Sequence, residues 1–108
     1  MQDRIESLHK AKRLLLEEGW VQGVSHIDGG GYCLTTAMRL TEGTSLEGWE
    51  NAKFLYGLIE QRSDFRRFDH FNLTGWNDDP TRTKEEVLAL LDNGINALMK
   101  EESCMKNQ

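Results

Sequence analysis

The sequence predicts an α+β fold: a mostly helical single domain with three longer helices, a short helix and a small β-hairpin. Apolar residues recur at every third or fourth position along three long stretches, as in amphipathic helices. Near residues 20–34, β-branched and aromatic residues instead alternate with small or polar ones and lead into three glycines at 29–31, as in a hairpin. One proline interrupts the 108 residues. We therefore expect one domain over 1–108, ordered over about 3–101 and frayed over 102–108.

The first helix is predicted at 2–18, because the apolar residues between Ile5 and Leu15 form a single stripe. Gly19 then serves as a left-handed terminator. The hairpin follows at 20–34, and residues 34–40 are predicted to be helical. Because an isolated two-stranded ribbon is marginally stable, we expect the hairpin to lie against the helices.

The second long helix is predicted at about 45–62, where Thr44 and Glu47 form a capping box ahead of a broad apolar stripe. The width of that stripe favours the central helix of the core. Residues 63–74 predict a short helix, because aromatic residues recur there at every third position and would pack their rings in the core. These aromatic residues are Phe65, Phe68 and Phe71.

Residues 76–86 hold the most specific chemistry of the chain. Asn77 and Asp78 are residues that bond their own backbone in turns, and Pro80 excludes the residue before it from helical geometry. We therefore expect a fixed turn. Arg82 lies just beyond it, and we expect its guanidinium to pair with the two aspartates of the turn and brace it.

The last long helix begins after this turn. Thr83 and Glu86 have the spacing of a capping box, and the apolar stripe that follows predicts a helix to about Lys100. Gly94 interrupts the stripe and predicts close packing against a neighbouring helix.

Composition narrows the class of function. The formal net charge is −5, with 38% hydrophobic and 29% charged residues, which is typical of a soluble globular protein. No basic face indicates nucleic-acid binding, and no apolar run reaches the roughly 20 residues of a membrane span. We expect a cytoplasmic protein without a disulfide, because Cys33 and Cys104 lie far apart and no signal peptide is recognisable.

The turn and the hairpin together form the candidate binding site. Our hypothesis is that they meet in space, with Arg82 as the clamp, and recognise a protein partner or a small polar or anionic ligand. Glycines followed by hydroxyl residues at a helix start would suit an anion. The candidate binding residues are Trp20, Gln22, His26, Trp76, Asn77, Asp78 and Arg82.

Cys33 is the candidate nucleophile, with His26 on the opposite arm as its base and Asp28 as the group that orients the histidine. The competing interpretation is that Cys33 is a small buried hydrophobic residue. No pair of histidines and cysteines has the spacing of a tetrahedral site, so we expect no metal and no cofactor.

Several short motifs connect the chain to a known family. They are Trp76-Asn77-Asp78, Pro80, Arg82-Thr83 and Glu86-Val87-Leu88, with Gly19-Trp20, Gln22-Gly23, Asp28, Cys33 and Ala37. In these motifs the chain resembles, over about 10–95, a small family of bacterial and bacteriophage proteins, a domain of unknown function. It departs at Thr36 and Thr81, where that family carries glycine. The resemblance implies a shared fold and no reaction type.

We therefore predict a small binding or interaction protein rather than an enzyme. A phage origin, implied by the resemblance, would make it an inhibitor that acts on a host protein or sequesters a small polar or nucleotide ligand. The alternative is a small hydrolase or transferase that uses Cys33 with His26. The oligomeric state stays open, and a dimer is compatible with the broad stripe of the second long helix.

Overall fold

Helices form most of the structure, a computed structural model that describes residues 2–41, 45–64 and 66–106. The five helices of the described residues are α1 Gln2–Glu18, α2 Leu34–Thr41, α3 Ser45–Ile59, α4 Asp69–Asp78 and α5 Lys84–Lys106. Two short strands, β1 His26–Ile27 and β2 Gly31–Tyr32, pair antiparallel. The predicted α+β, mostly helical architecture is confirmed.

One hydrophobic core lies between the helices, and apolar side chains of all five enter it. At Gly94 of α5, an added Cβ would lie 2.5 Å from Leu55 Cδ2 and 3.4 Å from Leu8 Cδ1. The glycine therefore lets α5 approach α3 and α1 closely, as the sequence predicted. The predicted capping box of Thr44 and Glu47 lies outside the described residues.

Two glycines join the end of α1 to the hairpin. Gly19 has a φ of +108° and its N–H donates to Leu15 O at 3.0 Å, which ends the helix as predicted. Gly31 has a φ of +116° and lies directly against the Gly19 backbone, where a Cβ would collide. Tyr32 N–H donates to Gly19 O at 3.0 Å, and Val21 N–H donates to Tyr32 O at 3.1 Å. The chain that leaves α1 therefore runs parallel to β2.

The hairpin is shorter than predicted. Its first strand begins at His26 rather than at Trp20, and residues 22–25 bend away from strand geometry. Gly23, with a φ of +79°, lies within this bend. We call residues 20–33 the ribbon, since only its far end is a paired hairpin.

The prediction of a turn at Asn77 and Asp78 is wrong, because both residues are the last helical residues of α4. Asp79, with φ −57° and ψ 127°, leaves helical geometry immediately before Pro80, as the proline requires. The helix α4 thus ends just before Pro80, and Asn77 and Asp78 belong to its last helical turn rather than to a separate β-turn.

The aromatic residues ahead of and within α4 are also placed differently. Phe68 and Phe71 are 57% and 61% exposed, so their predicted burial in the core is wrong, and Phe65 lies outside the described residues. The buried positions are instead Asp69, Leu73 and Asn77, which recur every fourth residue and therefore share one face of the helix.

The capping box at the start of α5 is confirmed: Glu86 N–H donates to Thr83 Oγ1 at 3.2 Å and Thr83 N–H donates to Glu86 Oε1 at 3.0 Å. The helix continues to Lys106, beyond the predicted end at Lys100. Among the described residues, none of the helices combines the length and apolar character needed to cross a membrane.

Candidate functional site

The side chain of Asn77 joins α4 to the ribbon and to α2. Its Oδ1 accepts from Trp20 Nε1–H at 2.6 Å and from Leu34 N–H at 3.1 Å, while its Nδ2 donates to Val21 O at 3.1 Å and to Asp78 Oδ1 at 3.0 Å. The residue is fully buried. We call this set of contacts the asparagine clasp.

Gln22 and Asp78 extend the clasp on both sides. Gln22 Nε2 donates to Asn77 O at 3.0 Å and to Asp79 O at 2.6 Å, which satisfies carbonyls that the end of α4 leaves without helical partners. Asp78 Oδ1 accepts from Gly23 N–H at 2.9 Å. The predicted meeting of the segment at 76–82 with the ribbon therefore occurs in the structure.

Arg82 is not the clamp. Its guanidinium lies 4.0 Å over the ring of Trp76, its Nε donates to Trp76 O at 3.0 Å, and its Nη1 donates to Glu86 Oε2 at 2.8 Å. The expected ion pair with Asp78 and Asp79 is absent from the described contacts, because Glu86 one helical turn onward offers a closer partner. The hydrogen bond from Arg82 holds the pKa of Glu86 below its usual range.

Asp79 is held by the loop rather than by arginine. Its Oδ1 accepts from the N–H of Thr81 at 2.8 Å and from the Thr81 hydroxyl at 2.7 Å. The backbone hydrogen bond from Thr81 is the largest influence that lowers the pKa of this carboxyl. The segment at 76–86 is thus a brace made of several local contacts.

The predicted catalytic couple is separated. The ring of His26 stacks on Tyr32 with a centroid distance of 6.1 Å, and its Nε2 lies 3.7 Å from Asp28 Oδ1 at the exposed end of the ribbon. Cys33 follows Tyr32 directly, and its side chain is buried. Its thiol donates to Thr36 Oγ1 at 3.2 Å, and no contact with His26 lies among the described hydrogen bonds.

Three of the backbone amides expected to hold an anion at the start of α2 already have partners. Tyr32 N–H donates to Gly19 O, Cys33 N–H donates to Ser25 O at 2.9 Å, and Leu34 N–H donates to the clasp. These three amides are engaged within the protein and are not available to a phosphate.

A cavity of about 350 Å³ lies where the clasp brings the ribbon, α2 and α4 together. Its walls come from residues 23–25 of the ribbon, from Cys33 and one face of α2, from Ala52 of α3, and from one face of α4. Asp78 and Cys33 belong to its lining, whereas the other predicted binding residues lie outside the lining.

Hydroxyl groups line the cavity between α2 and α4. Thr35 Oγ1 and Thr74 Oγ1 lie 3.0 Å apart, and the Thr74 hydroxyl donates to His70 O at 3.2 Å. Burial lowers the pKa of His70, and the charge of Lys53 lowers it further. Both effects favour the neutral imidazole, and Arg39 supplies the positive charge of the described lining.

The sequence missed Arg39, His70 and Thr74, although their spacing carried a signal. Thr35 and Arg39 are four residues apart on α2, and so are His70, Thr74 and Asp78 on α4, which places each set on one helical face. Because the sequence predicted a short helix followed by a turn in place of α4, the shared face of His70, Thr74 and Asp78 was not recognised.

A second cavity of about 350 Å³ lies at the connection between α3 and α4. Three arginines line it: Arg62 pairs with Asp69 at 2.9 Å, Arg66 pairs with Asp64 at 3.2 Å, and the guanidinium of Arg67 lies 5.2 Å over the ring of the next residue. Because two of these three charges are already paired with carboxylates and the walls of the first cavity are more apolar, the first cavity is the better candidate site. No group of three or more histidine, cysteine or acidic residues suited to a metal ion occurs in the described part of the chain.

A model described as a family of unknown function (DUF6197) matches residues 1–97. The match includes the ribbon, the helices α1 to α4 and most of α5, and therefore every wall of the cavity. Comparison with curated proteins and with solved structures found no match.

Proposed function

We propose that this chain, which belongs to the family of unknown function DUF6197, is a binding protein that holds a small ligand in the cavity between the ribbon, α2 and α4. The observation that carries the proposal is the cavity itself, with apolar walls and a few polar groups that converge on it. Ligand sites in proteins typically have this composition and range from about 300 to 1,000 Å³.

The size of the cavity favours a small ligand. Its volume of about 350 Å³ lies near the lower end of that range, which suits a molecule with one ring or a short chain better than a dinucleotide. A protein partner would use the same opening by inserting one side chain, because Val24 and Phe71 line the cavity and are 50% and 61% exposed.

The resemblance to bacteriophage proteins suggests a more specific form of this function. An inhibitor made by a phage would lower the free concentration of a small host molecule by binding it, or would block a host protein at the same opening. Either action needs binding and no bond-breaking step.

Blocking the opening tests the proposal. Ser25 is exposed and lines the cavity, so Ser25→Trp would fill the mouth without disturbing the core. Ser103→Trp, at an exposed position of α5, adds the same side chain elsewhere. We expect a fragment and metabolite screen by ligand-observed NMR to yield ligands that bind the wild type and Ser103→Trp but not Ser25→Trp. Ligands that bind all three proteins equally would contradict the site.

An enzyme that uses Cys33 is the second candidate, and one observation favours it: the residue lines the same cavity. In a Cys104→Ser background, which removes the exposed second thiol, we expect slow alkylation at pH 7 because Cys33 is 4% exposed. Rapid labelling with an apparent pKa well below about 8.5 would instead support a hydrolase or transferase.

A further inference from the structure

The charges around the cavity are unequally available to a ligand. Asp78 Oδ1 accepts from Gly23 N–H and from Asn77 Nδ2, so this carboxylate is engaged in the clasp. Arg39 lines the cavity, is exposed, and forms no ion pair with any of the described residues. A guanidinium is thus the charged group that a ligand would meet.

The two charges lie at different ends of α2. Asp78 is beside the first residue of the helix, because its neighbour Asn77 accepts from Leu34 N–H. Arg39 is five residues further along, and a rise of 1.5 Å per residue places it roughly 7 Å away along the axis. A ligand anion that pairs with Arg39 would therefore lie nearer to this cation than to Asp78.

The threonine hydroxyl groups of the cavity show that a ligand would have to supply a hydrogen-bond acceptor. The Thr74 hydrogen is donated to His70 O, so the hydrogen between Thr35 and Thr74 must come from Thr35. Thr36 Oγ1 instead accepts from the Cys33 thiol, and no acceptor for the Thr36 hydrogen occurs among the described residues. Arg39 and Thr36, three residues apart on one helical face, both offer donors to the cavity.

We propose that the ligand is a small carboxylate with an apolar body. Its carboxylate pairs with Arg39 and accepts from the Thr36 hydroxyl, and its body packs against Ala52 and Phe71. A carboxylate accepts hydrogen bonds only and matches the fork of a guanidinium. One guanidinium balances its single charge, whereas a phosphate monoester with a charge near −1.5 to −2 would stay partly uncompensated. This inference rests on the proposed binding function.

Matched pairs of probes test the charge requirement separately from the cavity. Benzoate is compared with benzamide and hexanoate with hexanamide, with chemical-shift titration as the readout. We expect each carboxylate to bind the wild type at least about tenfold more tightly than its amide, because a hydrogen bond to a charged group is stronger than one between neutral groups.

Three variants assign that preference to the residue. Arg39→Gln removes the charge, Arg39→Lys keeps it without the planar fork, and Arg13→Gln removes an exposed charge of α1 outside the cavity. We expect Arg39→Gln to abolish the preference, Arg39→Lys to give an intermediate value, and Arg13→Gln to match the wild type.

The possible outcomes separate the two proposals. Equal binding of each acid and its amide, blocked by Ser25→Trp, would overturn the carboxylate inference and leave the binding function in place. A preference that survives in Arg39→Gln would also overturn it. Failure of all four probes to bind the wild type would overturn the carboxylate inference, and the screen with Ser25→Trp and Ser103→Trp would then decide the binding function separately.

Discussion

Replacing Asn77 by alanine removes the centre of the clasp. Trp20 N–H, Leu34 N–H and Val21 C=O lose their partner, and an unsatisfied buried polar group costs about 1–3 kcal/mol. Leu34 is fully buried, whereas Trp20 and Val21 are partly exposed and can recover water. We therefore expect the free energy of unfolding to fall by about 3–5 kcal/mol, a large share of the 5–15 kcal/mol of a typical domain.

Urea unfolding followed by far-UV circular dichroism measures this loss, with tryptophan fluorescence as a second probe. Asn93→Ala, at an exposed position of α5, is the matched control and should change stability by less than about 0.5 kcal/mol. Trp20→Phe keeps most of the ring and removes one hydrogen bond, so it should cost about 1 kcal/mol. A loss below about 1 kcal/mol for Asn77→Ala would refute the buried clasp.

Two further predictions concern backbone geometry and pH. Gly31→Ala should lower the free energy of unfolding by more than about 2 kcal/mol, because the φ of Gly31 is +116° and a Cβ would collide with the chain at Gly19. Gly29→Ala, where a Cβ would enter open space, should lower it by about 1 kcal/mol. Equal urea midpoints of the two variants would contradict this prediction. Burial raises the pKa of Asp69, but hydrogen bonds from Arg62 and from Arg66 N–H outweigh it and hold the pKa below its usual range. The ionised Asp69 therefore stabilises the folded state above its unfolded pKa of about 3.9, and this stabilisation is lost as pH falls through the lower folded pKa. Asp69→Asn should therefore reduce the dependence of the free energy of unfolding on pH below about pH 4. An unchanged dependence on pH would contradict this prediction.

Local signals in the sequence determined much of the helical framework. The stripe and terminal glycine of α1 and the capping box of α5 depend on residues within one or two turns of each other, and each is confirmed. Such features are readable because the energy that decides them is local.

The predictions that were wrong concern residues whose side chains are placed by contacts with distant parts of the chain. Asn77 was expected in a turn because asparagine often bonds its own backbone, but its side chain bonds across to Trp20 and Leu34, more than 40 residues away in the chain. Arg82 was expected to be the clamp because its charge suits the aspartates, yet Trp76 and Glu86 lie closer. The cavity needs four separate segments, and no single stretch of sequence contains it.

The amides of Tyr32, Cys33 and Leu34 donate in succession to Gly19, Ser25 and Asn77, which lie in three different parts of the chain. These three amides should therefore exchange with solvent deuterium together, as one cooperative unit, whenever the clasp opens. Because the same opening detaches a wall of the cavity, we expect that a substitution that never touches a ligand of the proposed site would still shorten its residence time. If the proposed site binds a ligand, residues far from that ligand would thus also control its release.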